Sequence, residues 1–144
     1  MRVYLATSWE QLDELTRGPV EFATGHAVTP EVREELTDSD EDELEYVVLG
    51  MAASDAIALA GGRRRRVVLA VDTDATATGA LSEVSLARPV SLSDVAAIHV
   101  DSAEAEGDVE AAATAPEDDR LAERVLEHEL GWYGVQELGD LLAG

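Results

Sequence analysis

Cysteine is absent from the 144-residue chain, and so are lysine and asparagine. The lack of cysteine excludes disulfides, thiol chemistry and thiolate-bound zinc or iron–sulfur clusters. No apolar run reaches the roughly 18 residues that a membrane-spanning helix needs. The opening residues 1–15 also lack the apolar core of a secretory signal. We therefore expect a soluble, cytoplasmic protein that does not associate with membranes.

Positive charge is scarce as well. All ten basic residues are arginine, against 31 acidic ones, so the formal charge is −21. Proteins that bind nucleic acids or anionic lipids do so mainly through basic side chains, and this balance excludes direct binding to either. The missing lysine and asparagine fit a GC-rich genome, but that bias does not create the carboxylates. The acidity serves either general solubility or a specific partner.

The length and the 46% of hydrophobic residues indicate one globular domain spanning residues 1–144. Short β-branched runs alternate with amphipathic stretches in the order β, α, β, α, α, β, β, β, α, α. This order predicts an α/β (α+β) fold: a single-domain layered sandwich in which helices pack on a mixed sheet of four to five strands.

Two carboxylates lie on predicted apolar helix faces. The helix from residue 41 to about residue 60 carries Asp55 within its apolar stripe, and a last helical region from Glu117 to Leu142 carries Glu129 in the same position. A buried carboxylate costs several kcal/mol unless it is paired. Asp55 and Glu129 are therefore predicted to be either structural ion pairs with arginines or an acid/base pair with shifted pKa values.

Aspartates follow two predicted strands. Asp72 and Asp74 come after the buried run Val67–Val71, and Asp101 follows the strand from Val95 to Val100. Carboxylates at strand ends can hold a divalent metal, which would make the protein a small metal-dependent hydrolase. The histidines His99 and His128 are possible further ligands. Against this, aspartate after a strand is a common turn residue, and the chain has no glycine-rich phosphate loop.

Other classes of site have little support in the sequence. No serine lies in a GxSxG motif or in a recognisable setting for activation by histidine and aspartate, so nucleophilic catalysis is not expected. The run Arg63–Arg66 could hold an anion, but local ion pairs are the simpler expectation in so acidic a chain. No cofactor is expected.

Aromatic residues make up only 4% of the chain, and Trp132 and Tyr133 are adjacent. Such side chains anchor either a core or a partner surface. We predict a non-enzymatic module for protein–protein contact that binds another protein or a second copy in a homodimer, with Trp132 and Tyr133 at or near the interface. A further alternative is an acidic mimic of nucleic acid that covers a basic protein surface.

Four segments together resemble a family of small uncharacterised actinobacterial proteins. They are Met1–Leu5, Ala27–Pro30 with the following acidic stretch and Glu43–Tyr46, His99–Asp101, and His128–Leu138 with its Trp132-Tyr133 pair. The resemblance covers most of the chain. It implies a GC-rich, cytoplasmic bacterial origin and places Trp132 and Tyr133 in the family pattern, but it implies no activity.

Overall fold

One antiparallel sheet of seven strands runs through the structure, a computed structural model that describes residues 1–144. The strands are β1 (Arg2–Thr7), β2 (Thr24–His26), β3 (Val67–Asp72), β4 (Ala75–Ala77), β5 (Glu83–Leu86), β6 (Val95–Val100) and β7 (Gly131–Tyr133). Their order is β4-β5-β2-β1-β3-β6-β7, so β4 and β7 form the two edges. The α+β class is confirmed. The mixed sheet of four to five strands is wrong, because every pairing is antiparallel and the two three-residue edge strands β4 and β7 extend the sheet to seven.

Six α-helices connect and cover the strands. They are α1 (Trp9–Glu14), α2 (Pro30–Glu35), α3 (Glu41–Asp55), α4 (Glu106–Thr114), α5 (Asp119–Leu126) and α6 (Leu138–Ala143). Their starts follow from local chemistry: Ser8 forms a capping box with Gln11, and Asp40 forms another with Glu43. None of these helices has the length and apolar character needed to cross a membrane.

The two faces of the sheet carry separate cores. One face buries Val3, Leu5, Leu69 and Ile98 against α1 and α6. The other face carries alternate residues of the same strands, and it packs against the inner side of α3. The members of this second core are Tyr4, Val32, Leu44, Val48, Ala52, Ala53, Ala56, Val68, Ala70 and Ala97. Because β3 is covered on both faces, Val67–Val71 is buried throughout, as its unbroken apolar run predicts.

The C-terminal region differs most from the prediction. The helix ends at Leu126, and the chain then extends into β7, which pairs with β6 so that Trp132 lies opposite His99. Gly131 and Gly134 weaken a continued helix, and the open edge of β6 offers backbone hydrogen-bonding groups instead. The predicted helical region from Glu117 to Leu142 is therefore right at its two ends, in α5 and α6, and wrong in between. Glu129 is exposed in the extended segment before β7.

Asp55 is also exposed rather than buried in an apolar stripe. It is the last residue of α3, and its side chain is 61% exposed and bonded to His26. The inner side of the helix is shifted from the predicted stripe and runs through Ala52 and Ala53. Neither Asp55 nor Glu129 is a buried carboxylate, so the prediction of an inward-facing acid/base pair does not hold.

Candidate functional site

A pocket of about 290 Å³ opens between α3 and the segment that leads into β7. Helix α3 contributes Tyr46, Leu49, Gly50 and Ala53, at positions i, i+3, i+4 and i+7, which places them on one side of the helix. The opposite wall comes from the end of α5 and the extended residues after it. The lining residues are Tyr46, Leu49, Gly50, Ala53, Arg66, Leu126, His128, Glu129 and Leu130.

A buried ion pair lies at this pocket. Arg66, whose side chain is 1% exposed, donates from Nε and Nη2 to the two carboxylate oxygens of Asp101, each at 2.8 Å. Nη2 also donates to the backbone carbonyls of His128 at 3.0 Å and Val125 at 3.4 Å. Nη1 donates to no group of the chain, although Arg66 lines the pocket. The pair thus joins β3, β6 and the end of α5, and it leaves one donor for a ligand.

Polar contacts fix the walls of the pocket. His128 Nε2 lies 2.8 Å from an oxygen of Asp108, which ties the extended segment to α4. At the other wall, the Tyr46 hydroxyl donates to Glu129 at 3.4 Å. Tyr46 is 62% exposed and Leu126 is 56% exposed, so the mouth of the pocket combines apolar surface with a carboxylate.

The edge strand β7 presents a second exposed aromatic residue beside this pocket. Trp132 is 63% exposed and lies opposite His99 on the face of the sheet that α3 covers. Leu130, which lines the pocket, is two residues earlier and therefore points to the same face. Tyr133 points to the other face, where it packs against the first core. The predicted Trp132-Tyr133 pair is thus divided between surface and core.

Next to Trp132, the same face carries Tyr4 and His99, whose ring centroids are 6.4 Å apart. Burial raises the pKa of Tyr4 to about 12, with a further contribution from the carboxylate of Glu45. Burial also lowers the pKa of His99, and the positive charge of Arg2 adds to that effect. These residues belong to the segments that carry the family resemblance. Val3, Leu5 and Tyr133 of the same segments lie on the opposite face, in or against the first core.

The three predicted metal-binding aspartates do not come together. Asp72 ends β3 and pairs with Arg2, whereas Asp101 is held by Arg66 beside the start of the same strand. Asp74 is exposed in the turn before β4. The structure contains no group of three or more acidic or histidine side chains arranged to hold a metal ion. Carboxyl ends of neighbouring strands share one edge only in a parallel arrangement, and β3 and β6 run antiparallel, so Asp72 and Asp101 lie at opposite ends of the pair.

A serine, a histidine and an aspartate do align elsewhere, which the sequence did not indicate. His26 Nδ1 lies 2.7 Å from the hydroxyl of Ser82, and Nε2 lies 2.7 Å from Asp55. Ser82 is only 2% exposed and also contacts the sulfur of Met51 at 2.8 Å. A nucleophile must reach its substrate. The buried serine instead ties the start of β5 to β2 and α3.

The four consecutive arginines are engaged within the chain. Arg63 lies over the ring of Trp9 and donates to the carbonyls of Leu141 and Leu142. Arg64 and Arg65 both bond to Glu106. These contacts are the local pairing that the simpler expectation described, and they occupy the cations that an anion site would need.

Comparison with known proteins gives a family without an assigned activity. No curated protein and no solved structure matches the chain. The model of a family of unknown function, DUF6912, matches residues 1–142. Because that match covers nearly the whole length, the chain belongs to the DUF6912 family.

Proposed function

We propose that this protein is a non-enzymatic interaction module that binds a basic protein segment along the edge strand β7. The observation that carries the proposal is Trp132, a tryptophan 63% exposed on a strand whose outer side has no neighbour in the sheet. An open sheet edge pairs readily with an extended segment, and an exposed aromatic residue beside it supplies a contact of high energy per side chain.

Charge complementarity selects the kind of partner. The chain carries −21, and nearly all its arginines are bound to its own carboxylates or carbonyls. Exposed Glu127 and Glu129 lie four and two residues before the start of β7. A lysine- or arginine-rich segment is attracted to such a surface, whereas an acidic segment is repelled. A cation can also lie over the face of Trp132.

Binding can be tested with a short extended peptide that alternates lysine and valine. In a nitrogen-15 NMR titration, we expect it to shift the Trp132 indole signal and the backbone amides of β7. Trp9 serves as the comparison, since its indole N–H donates to the Arg65 carbonyl at 3.0 Å and its ring packs against the first core, on the face of the sheet opposite Trp132, so its signal should shift less. Affinity should fall with added salt, because the charge contribution is screened.

Matched variants separate the edge-strand site from general attraction to an acidic protein. Trp132→Ala should weaken peptide binding, whereas Leu59→Ala, at a side chain 38% exposed on another surface, should not. Glu129→Gln should likewise weaken it more than Glu34→Gln on α2. Equal binding by the Trp132→Ala variant and the unaltered protein would falsify the proposal. It would favour a nucleic-acid mimic, in which carboxylates spread over the surface make the contact.

A second copy is the other occupant that an antiparallel edge can take. Pairing of β7 with its copy across a two-fold axis would place Trp132 opposite Trp132 of the partner subunit. Two highly acidic chains repel each other, so such a dimer would strengthen with salt. A salt-strengthened dimer in sedimentation, lost in Trp132→Ala, would therefore replace the basic segment with a second copy.

A further inference from the structure

We propose that the pocket between α3 and residues 126–130 receives an uncharged apolar side chain of the bound segment, whose backbone carbonyl accepts a hydrogen bond from Nη1 of Arg66. This inference rests on the proposed function, because it names the anchor by which the segment is held. Leu130 and Trp132 share a face, so every second side chain of a segment paired with β7 lies on the face where the pocket opens.

The first argument is the glycine in the middle of α3. Gly50 lines the pocket, and a Cβ built there meets no atom within 4 Å. Glycine destabilises the interior of a helix relative to alanine, yet nothing in the fold excludes alanine at this position. Its Cβ would instead project into the pocket. Glycine at this position therefore leaves room in the pocket that a larger side chain would fill.

The second argument is the free donor of a buried guanidinium. Arg66 donates within the chain through Nε, Nη2 and the backbone N–H only, so Nη1 is free to bond to water or to an acceptor in the pocket. A purely apolar occupant would leave this donor without a partner, which is unfavourable. Asp101 already balances the charge of Arg66, and Glu129 stands at the pocket wall. A neutral carbonyl therefore fits better than a carboxylate.

The size and lining of the pocket set the rest of the ligand. At about 290 Å³, it lies at the lower end of the size range of ligand pockets, so it has room for a branched side chain together with its peptide group. Leu49, Ala53, Leu126 and Leu130 give an apolar wall. A branched aliphatic side chain such as leucine, attached to a peptide carbonyl, meets both requirements.

The probe is capped leucine, N-acetyl-leucine N′-methylamide, titrated into the full chain and followed by nitrogen-15 NMR. We expect shifts at the amides of Gly50 and Leu130. Capped lysine is the control for cation attraction and should shift them less. Gly50→Leu fills the pocket and should weaken binding by about tenfold or more, since packed sites tolerate extra methylenes poorly.

The matched control is Gly107→Leu in α4, where a Cβ also meets nothing within 4 Å but no pocket residue is changed. It should leave capped-leucine binding unaltered. Gly50→Ala should raise the urea midpoint of unfolding and weaken the binding of capped leucine. The proposal is overturned if capped leucine shifts neither amide, or if it binds Gly50→Leu and the unaltered protein equally.

A parallel titration with the lysine–valine peptide distinguishes failure of this inference from failure of the proposed function. Peptide binding that depends on Trp132 and is unchanged by Gly50→Leu would leave the edge-strand function standing and remove the anchor pocket. Capped-leucine binding in a protein that ignores the peptide would instead identify a free small amide as the occupant. That result overturns both the docking segment and the function on which it rests.

Discussion

Arg66 and Asp101 form a two-pronged ion pair in which neither side chain is more than 1% exposed. Asp101 also accepts the backbone N–H of Arg66 at 2.9 Å, so one carboxylate receives three hydrogen bonds from a single residue. The pair links the first residue before β3 to the first residue after β6. It both closes the sheet at this end and holds Arg66 in place at the pocket.

The first prediction concerns the loss of one partner of this pair. Asp101→Asn leaves a buried guanidinium without its counter-charge, which typically costs about 3–5 kcal/mol. Asp72→Asn is the control, since Asp72 pairs with Arg2 on the surface and is 60% exposed. Such exposed pairs contribute about 0–1 kcal/mol. Urea unfolding of the two variants measures the difference.

Equal losses of unfolding free energy in the two variants would show that the buried Arg66–Asp101 pair does not stabilise the sheet more than the exposed Arg2–Asp72 pair. A double variant refines the test. Arg66→Met with Asp101→Leu removes both charges together, and replacing a buried pair by apolar residues is often neutral. The double variant should therefore be more stable than Asp101→Asn alone, though it would lose the Nη1 donor of the pocket.

This ion pair shows what the sequence could and could not predict. The strands around it were predictable, because Val67–Val71 is an unbroken apolar run and β6 is apolar except for His99. Which of four arginines meets Asp101 depends on the register between β3 and β6, where Val67 lies opposite Val100. Register is a long-range property that no local pattern states.

The helix prediction for the C-terminal segment failed for a related reason. Leu121, Val125 and Trp132 fit a helical arc, but β7 has only three residues, too few for alternation to be visible. Pairing with β6 decided its conformation. The pocket was missed because Tyr46, Leu49 and Gly50 lie beside the core stripe of α3, and a mixed set of this kind has no periodic signal of its own.

The second prediction tests the close packing of β2 against β1. Gly25 lies in the centre of β2, and a Cβ there would stand 2.6 Å from side-chain atoms of both Val3 and Leu5 and 3.1 Å from the Tyr4 carbonyl. Gly25→Ala should therefore destabilise the protein by about 1–3 kcal/mol, the usual cost of overpacking. Gly107→Ala, with open space at its Cβ, should be neutral or stabilising. Thermal unfolding of both variants gives the comparison, and a neutral Gly25→Ala would show that β1 and β2 are not so tightly packed.

The third prediction concerns His99, which should take up a proton only at a lower pH than an ordinary histidine. Burial, with the positive charge of Arg2, lowers the pKa of His99 in the folded protein below the ordinary value of about 6.5. As the pH falls below that value, the unfolded chain takes up a proton first, so stability is lost on acidification. The ring proton signals of His99 should titrate at a lower pH than those of a free histidine. Arg2→Gln should move the titration back toward the ordinary pKa, and an unmoved titration would exclude the Arg2 contribution.

The fourth prediction concerns the stability of the protein at alkaline pH. Tyr4 is 7% exposed, and burial together with the Glu45 carboxylate raises its pKa to about 12. The ordinary phenol titrates near pH 10. Between those values the unfolded chain has lost the proton and the folded chain keeps it, so stability must fall as the pH rises.

Phenolate absorbance of the folded protein should show a late component, which titrates well above pH 10 and which Tyr4→Phe removes. Tyr46→Phe is the control, because Tyr46 is exposed. If the late component remains in Tyr4→Phe and disappears in Tyr46→Phe, the buried phenol beside Glu45 is not its source. Glu45→Gln then separates charge from burial, since it should shift the late component to lower pH while burial alone keeps it above the ordinary value.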